Sequence, residues 1–191
     1  MLNVKVIVGS TRPNRFSEKV LPWLHTALGT REELNVEVLD LKEHQLPYFD
    51  MPMSPAYVQN GEYPDEAVRA WAKKISEADA YIIIAPEYNH GYSAVLKNAL
   101  DVVYGEWNNK VVGFISYGSV GGGRVVEQLR QVAVELQMAS TRAAVHIQSP
   151  WFLLDEKGEL KERALDSYTD SLNGMLDQVT AWGKAFKSMR S

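Results

Sequence analysis

The sequence predicts an α/β protein: a five-stranded parallel sheet of order 2-1-3-4-5 with helices on both faces, in one domain spanning residues 1–191. Three observations predict it. Five short, β-branched segments recur along the chain; segments with a 3.6-residue apolar period separate them; and polar loops follow the strands' carboxyl ends.

The strand candidates are Val4–Val8, Val36–Leu41, Ala80–Ala85, Val111–Ser116 and Thr141–Ile147. Each is nearly continuous in apolar character, as expected of strands covered on both faces. A helix is expected from Ser93 to Gly105, and Val125, Leu129, Val132, Ala133 and Leu136 mark the face of another. On the closing helix the apolar stripe runs through Leu165, Tyr168, Leu172, Met175, Leu176, Val179, Trp182 and Phe186. Strand–helix alternation of this kind implies right-handed crossovers and a three-layer sandwich. Five strands favour the flavodoxin-like order over the six-stranded Rossmann order. One stretch is irregular: His44 to Pro64 holds four prolines among Tyr48, Phe49, Tyr57 and Tyr63. Such an insert is either a functional lid or a surface cover on the sheet edge.

Bulk composition narrows the function. An apolar fraction of 46% and a charged fraction of 23% are those of an ordinary globule. A net charge of −4 gives no general attraction to nucleic acid or to anionic membrane. The absence of cysteine excludes disulfides, thiol catalysis and thiolate metal sites. His25, His44, His90 and His146 are scattered without metal-ligand spacing, so no metal is expected. No apolar run approaches the ~20 residues that span a bilayer. Strand-like sequence follows Met1 almost at once, so no signal peptide is expected and the chain reads as cytoplasmic.

Three loops at strand ends carry the chemistry. The first, Gly9–Ser17, brings together Ser10, Thr11, Arg12, Arg15, Phe16 and Ser17 at a helix start. Hydroxyls, guanidinium groups and a helix N-terminus suit a terminal phosphate; the plainer reading is that Ser10 or Ser17 caps the helix. Gly9 stands alone, so neither the GxGxxG fingerprint nor the GxxxxGK[ST] loop is present. The second loop, Pro86-Glu87-Tyr88-Asn89-His90-Gly91, follows the third strand directly. The third, Tyr117–Arg124, has four glycines in six residues, which let the main chain pass close to a flat ligand. In a 2-1-3-4-5 sheet the three loops converge at the switch point beside strand one. A phosphate cradle next to two backbone-rich loops describes a mononucleotide with a planar head, which we read as flavin mononucleotide (FMN).

These residues resemble a known family. Gly9-Ser10-Thr11-Arg12 with Ser17, then Pro86-Glu87-Tyr88-Asn89 with Leu96-Lys97-Asn98-Ala99-Leu100-Asp101, then the Gly118–Gly123 loop, are similar to the NADPH-dependent FMN reductases, flavodoxin-like quinone, chromate and azo-dye reductases. The resemblance implies that Ser10, Arg12 and Ser17 hold the FMN phosphate, with Arg15 as helper and Thr11 and Phe16 in the same cradle. It implies that Pro86, Glu87, Tyr88 and Asn89 line the isoalloxazine. Ser116, Gly118, Ser119, Val120 and Gly121 would approach its pyrimidine edge. Gly123-Arg124 falls where family members carry a small residue and a basic one.

In that reading the flavin carries the chemistry and no catalytic side chain is assigned. NADPH or NADH delivers hydride to the flavin, and a quinone, free flavin, azo dye or similar acceptor takes it in a ping-pong cycle. Glu87 and His90 are not assigned as proton donors. An apolar arc of Val95, Leu96, Ala99, Leu100, Val102 and Val103 suggests a helix from another subunit, or else burial within one subunit; the resemblance implies a homodimer or homotetramer. A flavodoxin-type electron carrier and a flavin-binding regulatory protein without turnover stand as alternatives. A Rossmann dehydrogenase fits less well, because Asp40 lies about 30 residues beyond Gly9 rather than ~20.

Overall fold

A computed structural model describes residues 1–190. Its strands are β1 (Leu2–Val8), β2 (Leu34–Asp40), β3 (Ala80–Pro86), β4 (Val111–Gly118), β5 (Ala139–Ser140) and β6 (Val145–Gln148). Its helices are α1 (Phe16–Gly29), α2 (Glu66–Ser76), α3 (Ala94–Asp101), α4 (Gly123–Glu135) and α5 (Thr169–Met189). All pairings are parallel, in the order β2-β1-β3-β4-β5, with β6 also on β4. The expected fold and order are therefore present, with one correction at the far edge. The predicted strand Thr141–Ile147 is strand only in its second half, as β6; β5 lies just before it, and residues 141–144 are not strand. Val112 pairs with Ser140 and Ile115 with Val145, so five steps on one side match three on the other. Thr141 N–H still donates to Val112 O at 2.9 Å, and the chain bulges beyond it: Thr141 Oγ1 donates to Ala143 O at 2.8 Å, and the Arg130 guanidinium donates to Thr141 O and Arg142 O.

Strand alternation sends side chains into two cores. Ile7, Tyr81, Ile83, Val112 and Phe114 pack under α2, α3 and α4. Val6, Val8, Ile82, Ile84 and Ile115 pack under α1 and α5. β3 and β4 are buried along their whole length, so each Ile or Phe contributes roughly 1.5–3 kcal/mol of burial. β2 is less covered than its neighbours, as an edge strand must be. Trp71 and Trp107 are fully buried and satisfied, donating their indole N–H groups to Ala99 O and to Leu100 O and Val103 O.

Helix α3 is shorter than its sequence pattern, because Ser93 caps it and Val102 ends it. Leu96, Ala99, Leu100, Val102 and Val103 are all buried within the chain, leaving Val95 37% exposed. Packing inside one subunit thus accounts for the breadth of the apolar arc. On α5, Trp182 is 39% exposed and Gly183 takes the buried place beside Leu2. The proline-rich segment runs along α3: the Asn98 amide donates to Pro47 O at 2.8 Å and accepts from Phe49 N–H at 3.0 Å. Tyr63 anchors its far end, donating to Glu106 Oε2 at 2.7 Å. No helix among the described residues is long and apolar enough to cross a membrane.

Candidate flavin site

The carboxyl ends of β1, β3 and β4 lie side by side, because β1 and β4 flank β3. Their following loops meet as the topology requires. The Ser10 hydroxyl sits 2.8 Å from the Tyr88 hydroxyl, joining the first loop to the second. Glu87 N–H donates to Tyr117 O at 2.9 Å, joining the second to the third. Ser93, the α3 cap, donates its hydroxyl to Gly9 O and so ties the helix to the first loop.

Neither Ser10 nor Ser17 caps α1. Arg15 is the N-cap and makes no side-chain cap bond, so the first turn presents N–H groups without a side-chain partner. Ser17 Oγ is buried on that turn with no hydrogen-bond partner among the described residues. The Tyr117 hydroxyl is also buried without a hydrogen bond of standard geometry. Burial pushes its pKa up, while the nearby Ser17 and Ser10 hydroxyls oppose that shift. Buried orphan hydroxyls at an uncapped helix start are what a polyoxyanion would satisfy.

Arg12 is exposed, makes no ion pair among the described residues, and lies 5.7 Å from the Tyr88 ring centroid. Arg15 differs. Its guanidinium grips both Asp40 oxygens, donates to Ser10 O, and meets Glu18 Oε1 through Nε at 3.1 Å. Burial opposes its charge, but Asp40 and Glu18 outweigh that and hold its pKa above the ordinary value. Arg15 therefore shapes the loop, and Arg12 is the cation left to meet an anion.

The second loop is a tight turn: Tyr88 and Gly91 exchange N–H···O bonds of 2.8 and 3.0 Å around Asn89 and His90, both at positive φ. Beneath it, the Glu87 side chain is 4% exposed. Its Oε1 accepts from Arg124 Nε at 2.7 Å and from Nη2, while Oε2 is buried without a partner. In the third loop, a Cβ on Gly118 would stand 2.9 Å from Glu87 Cβ, so only glycine lets these two loops touch. Ser116 lies under the loop, donating to Gly121 O at 2.7 Å and sitting 2.9 Å from His146 Nδ1. Its hydroxyl supports the loop from below, where the sequence reading placed it toward the ligand. Burial lowers the His146 pKa.

A cleft of about 260 Å³ opens where the loops meet. Arg12, Arg15, Phe16, Glu87, Tyr88 and Gly118 line it, so all three predicted loops contribute. Ser10, Ser17, Pro86 and Ser116 are buried framework around it, while Asn89, Ser119 and Val120 are exposed on the outer turns. Gly121 is buried against His146. Thr11 lines a neighbouring groove with Lys42, His44, Tyr48 and Val95. No residue of the proline-rich segment lines the cleft; the segment covers α3 and borders the groove beside Thr11 through His44, Leu46 and Tyr48. The sequence reading missed Lys19, Tyr117 and the apolar set Pro150, Trp151 and Leu154. A Pro-Trp-Phe run just after a strand end was the available signal.

Fold and site together define a flavodoxin-like α/β protein with a cleft where its three strand-end loops meet. Comparison with known proteins carries this further. Residues 2–151 match the family model for NADPH-dependent FMN reductase. A Schizosaccharomyces pombe NAD(P)H-dependent FMN reductase is 40% identical over 136 residues, 71% of this chain and 67% of its own. A Pseudomonas putida quinone reductase is 29% identical over 190 residues, 95% of each chain. Among solved structures, the flavoenzyme NAD(P)H:(acceptor) oxidoreductase FerB from Paracoccus denitrificans superposes with a TM-score of 0.72. It is 22% identical and covers 95% of this chain and 98% of its own, a likeness of fold. The chain belongs to the NADPH-dependent FMN reductase family, and is an oxidoreductase that uses FMN and NAD(P)H.

Proposed function

We propose that the protein is an NAD(P)H:quinone reductase working through FMN held in this cleft, with the net reaction NAD(P)H + H⁺ + quinone → NAD(P)⁺ + hydroquinone. The buried, unpartnered Ser17 hydroxyl on the uncapped first turn of α1 carries the reading, because it needs an acceptor-rich ligand. Bound FMN supplies the hydride relay, and donor and acceptor use it in turn in a ping-pong cycle. Arg12, Ser10 and Ser17 hold the phosphate; Arg15 keeps the loop in shape through Asp40. Glu87, Tyr88 and Gly118 bring main chain against the planar head. Main-chain N–H groups of the third loop would stabilise negative charge on a bound flavin. The name of the Pseudomonas putida relative supports quinone as acceptor. All of this takes place in one domain of a cytoplasmic protein.

We also propose self-association. Val95 and Tyr48 share a groove, and Phe49, Met53 and Tyr57 are exposed on the same proline-rich segment, which supports an apolar contact surface beside α3. Size-exclusion chromatography with light scattering tests it; a monomer at micromolar concentration would refute it.

The main test is spectroscopic. FMN-loaded protein should lose its oxidised-flavin band anaerobically with NADPH and regain it with a quinone. Arg12→Ala should bind FMN about tenfold to a hundredfold more weakly, the loss of a charge-assisted contact, while riboflavin binding stays unchanged. FMN binding without bleaching would instead indicate an electron carrier or sensor.

A further inference from the structure

The cleft's walls differ in chemistry. Those from the first two loops and the first turns of α1 carry Arg12, Arg15, Lys19 and Glu87. The wall from beyond β6 consists of Pro150, Trp151 and Leu154 and bears no charge. Trp151 is 53% exposed and Phe152, 6.0 Å away between ring centroids, is 71% exposed. Two large aromatic rings left open beside a cleft need a reason.

The backbone holds them there. Ser149 adopts φ 44, a left-handed conformation that a non-glycine residue keeps only under constraint. The constraint comes from the third loop: Ser149 N–H donates to Gly118 O at 2.8 Å, and its hydroxyl to Ser119 O at 3.2 Å. Downstream, Phe152 N–H donates to Ser149 O at 3.0 Å and Lys161 Nζ to Phe152 O at 3.0 Å. The position of Trp151 is thus locked to the loop that contacts Glu87.

We infer that Trp151, backed by Phe152, is the specificity-determining platform for the electron acceptor, and that the acceptor is a planar, fused-ring quinone. The inference rests on the reductase reading above. A nicotinamide nucleotide carries phosphates that call for cations, and this wall has none; Lys19, nearby, is paired with Glu159. An uncharged fused-ring quinone has two extended π faces and gains from stacking on an indole. A single-ring quinone offers less overlap, and a small inorganic oxidant offers none.

The test uses FMN-loaded wild type, Trp151→Ala and Trp151→Phe, with NADPH and three acceptors: 1,4-naphthoquinone, 1,4-benzoquinone and ferricyanide. Trp151→Ala should raise KM for naphthoquinone about tenfold, matching the loss of one aromatic contact. The rise for benzoquinone should be smaller, and ferricyanide kinetics should not change. Trp151→Phe should restore most of the naphthoquinone KM. Independently of turnover, 2-naphthol titrated into oxidised holoprotein and followed by the flavin absorption band should bind more weakly to Trp151→Ala. Equal effects on all three acceptors, or none, would overturn the inference. Loss of bound FMN in Trp151→Ala would overturn it by assigning Trp151 to the cofactor. Slower anaerobic bleaching by NADPH would overturn it by assigning Trp151 to the hydride donor. A wild type that binds FMN but is not bleached by NADPH would remove the reductase reading itself, and this inference with it.

Discussion

Arg124→Ala tests how the second loop is held. In the intact protein the Glu87 side chain is 4% exposed, and both oxygens depend on one guanidinium or on nothing. Removing one partner of a buried ion pair costs ~3–5 kcal/mol, because the other charge is stranded. Here Arg124 is itself 37% exposed, so water already screens the pair and enters further after truncation. Discounting for that leaves a loss of ~2 kcal/mol. In a chain of 191 residues this corresponds to a fall in melting midpoint of about 4–8 °C. Glu87→Gln removes the stranded charge, so the Arg124→Ala/Glu87→Gln double variant should regain at least half of the loss. Thermal unfolding of the four FMN-free proteins in one buffer, followed by circular dichroism, measures the full cycle. If Arg124→Ala melts within about 1 °C of wild type, or the double variant is no better than Arg124→Ala, the stranded-charge argument is wrong.

Three further outcomes are expected. Ser17→Ala should leave the apo protein as stable as wild type or more so, since it deletes an orphan hydroxyl, yet weaken FMN about tenfold or more in a fluorescence titration; unchanged affinity would sever Ser17 from the phosphate. Gly122→Ala places a Cβ 2.7 Å from Ser116 Cβ at φ 73, so urea unfolding should register a loss of ~2–5 kcal/mol, and a loss below ~0.5 would contradict the packing. Lys110, whose ammonium donates to Ile75 O, Ser76 O and the Tyr81 hydroxyl, has its pKa pushed down to about 7 by burial and by Arg190. Its folded value lies below its unfolded one, so its contribution to stability is full above the unfolded value near 10.5 and falls as pH drops to about 7. Urea midpoints from pH 6 to 10 should therefore rise in wild type relative to Lys110→Met; parallel curves would show that Lys110 does not titrate there.

Much of this was legible in the residues because period and burial coincide. Ala80–Ala85 is apolar at every position, and a strand covered on both faces has to be. The three loops were legible because strand order alone brings them together. What escaped depended on contacts distant in sequence. Nothing local in Thr141–Ile147, which lacks glycine and proline, signals that two residues leave the ladder; Arg130, on the preceding helix, holds them out. Arg15 looked like a second phosphate cation because its loop is basic, but Asp40 neutralises it from 25 residues away. The apolar arc of α3 left a partner subunit and burial within one subunit both open, and only the folded chain shows that the proline-rich cover and the sheet supply most of its burial.

The grip of Arg15 on Asp40 has a consequence for time as well as shape. Asp40 is the last residue of β2, and β2 is the outermost strand on its side of the sheet. Outer strands open to solvent more often than inner ones. Each opening would let go of Asp40, and with it the Ser10 carbonyl that Arg15 holds in place. With the phosphate on the first loop as proposed, cofactor residence and edge breathing would share one latch, and linkage would make the coupling mutual. FMN should slow amide hydrogen exchange along Leu34–Asp40, a strand that does not line the cleft, and a strand that closes faster should keep its flavin longer.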